Sequence, residues 1–182
     1  MRYKIFDPDS KVIGQAMLGF KAAADQDMIL PLLEKYNLTD ILPDQWYPLQ
    51  SWLDVLSDIS EQTGDYASMM TFVDIGKRVA ANILVPETVV RQMGFFQFSQ
   101  QLGGENYLQN HQGDVGKVEL INLDDKHMRI ILNTPYPPDF WYGITYGIAL
   151  KFAGSNFVVH YEDIAMRFAD PGSTAVIHLI VE

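Results

Sequence analysis

The sequence predicts an α+β fold, with N-terminal helices packed on a four-stranded antiparallel sheet whose C-terminal half runs ββαββ. Three observations carry that reading. Apolar residues recur at three- and four-residue steps through residues 12–100. The period then drops to two in residues 117–133 and again in 157–181. Between these strand pairs, Asn133-Thr-Pro-Tyr-Pro-Pro-Asp-Phe140 forms a stiff corner leading into a late apolar helix. Helices first and antiparallel strands later is the α+β order.

The first ten residues read as a short extended arm, and Val12 to Ala24 as a helix. A second helix is expected from Asp27 to Tyr36, ending before Asn37. Pro43-Asp-Gln-Trp-Tyr-Pro48 is a rigid aromatic corner, because proline fixes φ and removes a backbone donor. Helix three spans Leu49 to Gln62, with Trp52, Leu53, Leu56 and Ile59 on one face and Gly64 as its stop. Helix four covers Ala67 to Leu84 through Phe72, Ile75, Val79 and Ile83; Lys77 and Arg78 read as its solvated side. Helix five runs from Glu87 to Gln100 after Pro86.

Lys117–Leu123 and His127–Asn133 then form a hairpin across Asp124-Asp-Lys126. In the corner, three of the four residues 135–138 are proline, which bars it from a sheet. Asp139 is placed to cap the helix that follows, from about 140 to 153. Gly143 and Gly147, one turn apart on it, suit a close approach of another backbone. Phe157–Tyr161 and Thr174–Val181 are the last strands, with a turn at Asp170-Pro-Gly-Ser173.

A chain of 182 residues is long enough for a single domain, 1–182, with a sizeable core. The net charge of −10 argues against nucleic acid, which needs a basic stripe, and against anionic lipid. No cysteine is present, which excludes disulfides, thiolate nucleophiles and cysteine metal sites. The start has no apolar signal-like run, and the late helix falls short of the ~20 residues that span a bilayer. A cytoplasmic protein without a membrane partner is the expectation.

Tyr107-Leu-Gln-Asn-His-Gln-Gly-Asp-Val-Gly-Lys117 followed by the 133–140 corner resembles bacterial proteins related to the 4-vinyl-reductase-type small-molecule-binding domain. That domain falls in a structural group with the haem nitric-oxide-binding sensors and the Bet3-like subunits of the TRAPP tethering complex. The resemblance covers roughly residues 46–182. It implies a small apolar ligand held between helices and sheet, a ligand-binding or sensory role, and a homodimer. Two departures bear on chemistry. Where the vinyl-reductase-type domains carry late cysteines, this chain has Met166 and Ala175, and it lacks the Tyr-x-Ser-x-Arg run of the haem sensors. Neither a metal site nor a haem cofactor is therefore expected.

The ligand-binding residues expected are Phe96, Tyr107, His111, Trp141, Tyr142, Tyr146 and His160. His111, beside Gly113-Asp-Val-Gly116, can meet a polar ligand group; the plainer reading is a brace for the turn. Phe95, Phe96, Phe98, Trp141, Tyr142, Tyr146 and Phe152 can wall a flat apolar ligand, or simply fill a core. His160 and His178 can face one another across the last strands without a visible third metal ligand, and His127 reads as solvated. Gly103-Gly104 and Gly113-x-x-Gly116 fit turn positions, not a phosphate loop, because no strand precedes and no helix follows the second pair. No Gly-x-Ser-x-Gly elbow or paired carboxylate beside a nucleophile occurs, so no catalytic residue is assigned.

Two other classes compete with a non-enzymatic binding protein. One is a homodimeric interaction module with a filled core and no ligand. The other is an enzyme or carrier acting on a tetrapyrrole, which would need a hydride source that no nucleotide motif here supplies. In the favoured arrangement the ligand lies between helices three to five and the sheet, near Trp141, Tyr146 and Phe96, under residues 107–116.

Overall fold

A computed structural model describes residues 2–84, 88–90, 94–165 and 174–182. The chain opens with β1 (Lys11–Ile13), α1 (Gly14–Ala23) and α2 (Gln26–Lys35), followed by β2 (Trp46–Pro48), α3 (Leu49–Thr63) and α4 (Asp65–Ala81). Then come α5 (Phe95–Gln100), a π-helical turn (Gln101–Glu105), α6 (Asn106–Gln109) and β3 (His111–Gln112). The C-terminal half is β4 (Lys117–Asn122), β5 (His127–Asn133), α7 (Pro138–Phe152), β6 (Phe157–Tyr161) and β7 (Ala175–Val181).

The α+β architecture holds. The main sheet has the order β4-β5-β7-β6 and is antiparallel throughout. One face is buried through Met128, Ile130 and Leu132 of β5 and Ala175, Ile177 and Leu179 of β7. Those residues share a core with Trp52, Leu53, Leu56 and Ile59 of α3 and with Phe72 and Ile75 of α4. Period-two strands and a 3.6-period helix thus offer matching apolar surfaces, which is the driving force for the layer.

Four expectations need correction. The segment 11–13 is not helical: it pairs with 46–48 and 111–112 in a small second sheet, order β2-β1-β3, and α1 begins only at Gly14. Within the span expected for helix five, Gly94 has a positive φ of 82°, and a helix that starts at Phe95 runs past Gln100 through the π-turn to Gln109. Asp139 does not cap α7; Pro137 holds that position, and the buried Asp139 carboxylate accepts from the Tyr161 hydroxyl at 2.9 Å. Arg78 is not merely solvated, since it donates to the carbonyl of Ala23 at the end of α1, 3.1 Å away. The turn expected at 170–173, Met166 and the expected helix start at Glu87 lie outside the described residues.

The tightest pairing is between α4 and α7. A Cβ at Gly76 would lie 2.9 Å from the Cα of Gly143, and one at Gly143 would lie 3.0 Å from the Cα of Gly76. Neither helix has room for a methyl group there. Replacing Gly143 by Ala is expected to force the helices apart and destabilise the fold by about 1–3 kcal/mol, the usual cost of overpacking. Urea unfolding of G143A against the parent protein measures it; an unchanged midpoint would refute the backbone-on-backbone contact.

Candidate functional site

Between the helices and the buried face of the sheet lies a cavity of about 360 Å³. Trp141, Ile144, Thr145 and Ile148 of α7 form one wall, at the spacing of a single helical face. Gln15, Ala16, Gly19 and Phe20 of α1 face them, with Trp52, Val79 and Ile83 completing that side. The floor is the sheet: Val118, Leu120, Met128, Ile130 and Leu179. Ser99, Gly103, Asn106, Tyr107 and Asn110 supply the remaining wall, from the helical stretch that contains the π-turn. Gly103 lets that stretch lie on β4, because a Cβ there would meet the Leu120 side chain at 2.7 Å.

At one end the cavity turns polar. The His111 Nδ1 lies 2.6 Å from the carbonyl of Tyr107, and its Nε2 lies 2.6 Å from the Tyr136 hydroxyl. A carbonyl only accepts, so Nδ1 carries the proton and Nε2 takes the Tyr136 O–H. The Tyr107 hydroxyl donates to the carbonyl of Val115 at 2.6 Å. Its ring meets that of Trp141 edge-on at 5.5 Å and lies 4.5 Å from the imidazole. Burial holds His111 below its ordinary value, against the opposing hydrogen bond to Tyr107, and pushes both phenols upward. The imidazole is therefore neutral at neutral pH.

Among the described residues, the indole Nε1 of Trp141 is the buried side-chain polar atom without a hydrogen-bond partner. Among the described residues that line it, none is an acid, a lysine or an arginine. No cluster of three His, Asp or Glu side chains among the described residues could hold a metal. The described lining offers shape, apolar contact and neutral hydrogen-bonding groups.

The expected site residues divide. Tyr107, His111 and Trp141 meet on the cavity wall. Tyr142 instead stacks on Tyr161 at 5.2 Å and donates to the carbonyl of Val159, while Tyr146 packs on Phe157 with the Lys77 ammonium 4.6 Å over its ring. Phe96 belongs to a separate, more open cleft beside Asp124 and Asp125. His160 stands exposed on the outer face of the sheet, stacked on His178 at 5.0 Å. His127 is not simply solvated: its Nε2 shares a hydrogen bond with His178 Nδ1 at 2.8 Å, and His178 Nε2 donates to Glu162 at 3.0 Å. Arg129 grips that carboxylate with two N–H groups, which holds Glu162 below the usual carboxylate range.

Residues 107–116 are not a free lid. They comprise the end of α6, β3 and the turn at Gly113 and Gly116, both with positive φ (81° and 69°). Gly103-Gly104 lie in the π-turn, not in a hairpin turn. Sequence reasoning missed Tyr136 and the whole α1 wall. The signal for Tyr136 was its place between Pro135 and Pro137, which fixes the backbone on both sides of the ring.

No family model and no curated protein matches the chain. Solved structures do. An H-NOX protein from S. oneidensis in the Fe(II)NO state gives a TM-score of 0.66 at 12% identity, covering 93% of this chain and 99% of that one. An unliganded Fe(II) H-NOX mutant from K. algicida gives 0.68 at 11%, covering 93% and 96%. A structure described as probing heme distortion in the H-NOX family gives 0.60 at 13%, covering 93% and 92%. The shared fold includes the N-terminal helices, beyond the expected 46–182. Links to the vinyl-reductase-type domain and Bet3-like subunits rest on sequence resemblance alone.

The described residues do not fit a haem of the kind named for those structures: His111 has both ring nitrogens engaged, and among the described lining residues no cation stands ready to meet propionates. Stability is expected to fall as pH drops below about 6.5, because the unfolded chain takes a proton on His111 before the folded chain does. Above that value the contribution is complete; it is lost as pH falls toward the depressed folded value. Thermal melts between pH 7.5 and roughly 5 would show a shallower decline for His111→Gln, and equal slopes would contradict a buried neutral imidazole.

Proposed function

We propose that this chain, folded like the H-NOX domains, is a non-enzymatic small-molecule-binding or sensory protein whose ligand occupies the cavity between α1, α7 and the sheet. The observation that carries the reading is a cavity of about 360 Å³ whose described lining residues are uncharged, inside a chain of net charge −10. Its size falls within the roughly 300–1,000 Å³ of small-molecule sites. Its walls, largely apolar with a few polar groups at one end, are the usual lining of such a site. Since the ligand would touch α1, α7, the 99–110 stretch and the sheet together, occupancy would bias how these elements pack, as a sensor requires.

Native mass spectrometry of protein purified without added ligand tests this directly. An excess mass per chain, lost on denaturation, is expected; a bare mass would count against the reading. The same spectrum reads the homodimer that the resemblance implies. Gly19 provides a control, because no heavy atom lies within 4 Å of where its Cβ would be. Gly19→Ala should keep the excess mass and gain about 0.5–1 kcal/mol, as alanine does over glycine inside a helix. Gly19→Phe should abolish the excess mass with the circular dichroism unchanged.

A further inference from the structure

We infer that the cavity takes a neutral, largely apolar molecule carrying a carbonyl or hydroxyl oxygen, and that the Thr145 hydroxyl is the group that recognises this oxygen. The inference rests on the binding reading above and adds the chemistry of the occupant. Four residues described in the lining carry hydroxyls: Ser99, Tyr107, Tyr136 and Thr145. Three of them are committed within the protein. Ser99 donates to the carbonyl of Phe95 at 2.9 Å, Tyr107 to that of Val115, and Tyr136 to His111. The Thr145 hydroxyl bonds to no group among the described residues, although the residue is only 7% exposed.

Its place inside α7 makes that uncommon. Ser57, Thr63 and Thr71, inside α3 and α4, each give their proton to the carbonyl four residues back, as helical hydroxyls often do. For Thr145 that carbonyl belongs to Trp141, and the bond does not form. The indole Nε1 of Trp141 is the described polar atom that is both sealed from solvent and unpartnered. The Thr145 oxygen, equally unpartnered, is not sealed, so it opens onto the space its residue lines. A polar group set in an apolar wall is costly unless something bonds to it. Ile144 and Ile148 share that wall, and Leu120, Met128 and Ile130 form the floor, so one oxygen on an apolar body matches the surface.

The amides of Gln15, Asn106 and Asn110 reach the cavity from its rim. Gln15 and Asn106 are exposed, and the half-buried Asn110 leans on the Asn106 side chain at 3.4 Å. Solvent already serves the exposed pair, so a ligand bond there gains little over hydration. The described lining carries no acid, lysine or arginine, so an ion would enter unpaired.

The test compares 2-acetylnaphthalene with 2-isopropenylnaphthalene, in which a methylene replaces the carbonyl oxygen, on the parent protein, Thr145→Val and Asn106→Ala. Valine keeps the branched shape and removes the hydroxyl. Equilibrium dialysis gives the dissociation constants, and the ratio between ketone and hydrocarbon is the readout. T145V should shift that ratio by roughly twofold to tenfold against the ketone, the worth of one net hydrogen bond, while N106A should leave it in place. Binding of the hydrocarbon by T145V shows that the cavity survives the change. In the parent protein, the carbonyl stretch of the bound ketone should lie below its frequency in cyclohexane, because a hydroxyl donor weakens the C=O bond; in T145V it should return toward that value. The charged analogue 2-naphthoate should bind the parent more weakly than the ketone, by about tenfold or more.

An unchanged ratio in T145V, a ratio moved by N106A instead, or a carbonyl stretch at its cyclohexane value in the parent would overturn the role given to Thr145 and leave water as the partner of that hydroxyl. Naphthoate binding as tightly as the ketone would overturn selection for a neutral molecule. If none of the three compounds binds the parent protein, the cavity reading itself falls, a result distinct from either of these.

Discussion

The contact on which the structure turns is the meeting of Gly76 and Gly143, where α4 and α7 touch backbone to backbone. Continued by Gly147 against Ala80, it commits one stripe of α7 to α4. That leaves two other stripes. Tyr142 and Tyr146 go to β6 and its neighbourhood, and Trp141, Ile144, Thr145 and Ile148 go to the cavity. A helix that is apolar nearly all round is normally read as buried. Here each stripe has a separate job, and the glycines fix the rotation that assigns them. Turn α7 by one residue and the tyrosines, not the tryptophan, would wall the cavity.

The sheet divides polarity just as sharply. Its inner face gives the cavity an uncharged floor, while its outer face collects His127, His160, His178, Arg129 and Glu162. Strand alternation is sufficient cause: His178 follows Ile177 and precedes Leu179, so imidazole and apolar neighbours take opposite sides. The direct register of His160 with His178 puts those two rings in contact. Their proximity therefore records cross-strand pairing on the solvent side, away from the cavity.

The strands of the main sheet were legible because their signals are long enough. His127–Asn133 and Phe157–Tyr161 fall where alternation puts them. The β2-β1-β3 sheet was not legible, since strands of two and three residues are shorter than one readable period, and their partners lie far off in sequence. Among the expected site residues, position in the fold was only partly legible. Tyr107, His111 and Trp141 meet at the cavity, but Phe96 and Tyr146 were chosen for being aromatic, and composition does not say which way a ring points. The α1 wall escaped for the converse reason: Gln15, Ala16 and Gly19 are small or neutral, and their contribution is the space they leave.

The small sheet also sets the order in which this molecule can be built. The helices from α1 to α4 form from contacts local in the chain, whereas β1 must wait for His111–Gln112, and the cavity floor must wait for Leu179. Contacts of such long sequence separation are slow to form, because the loop must close before the pairing rewards it. During synthesis the helical layer thus emerges with its apolar side bare, and the pocket comes into being only when β7 inserts between β5 and β6. A ligand present in the cell at that moment would meet a half-open cradle, easier to enter than the finished one.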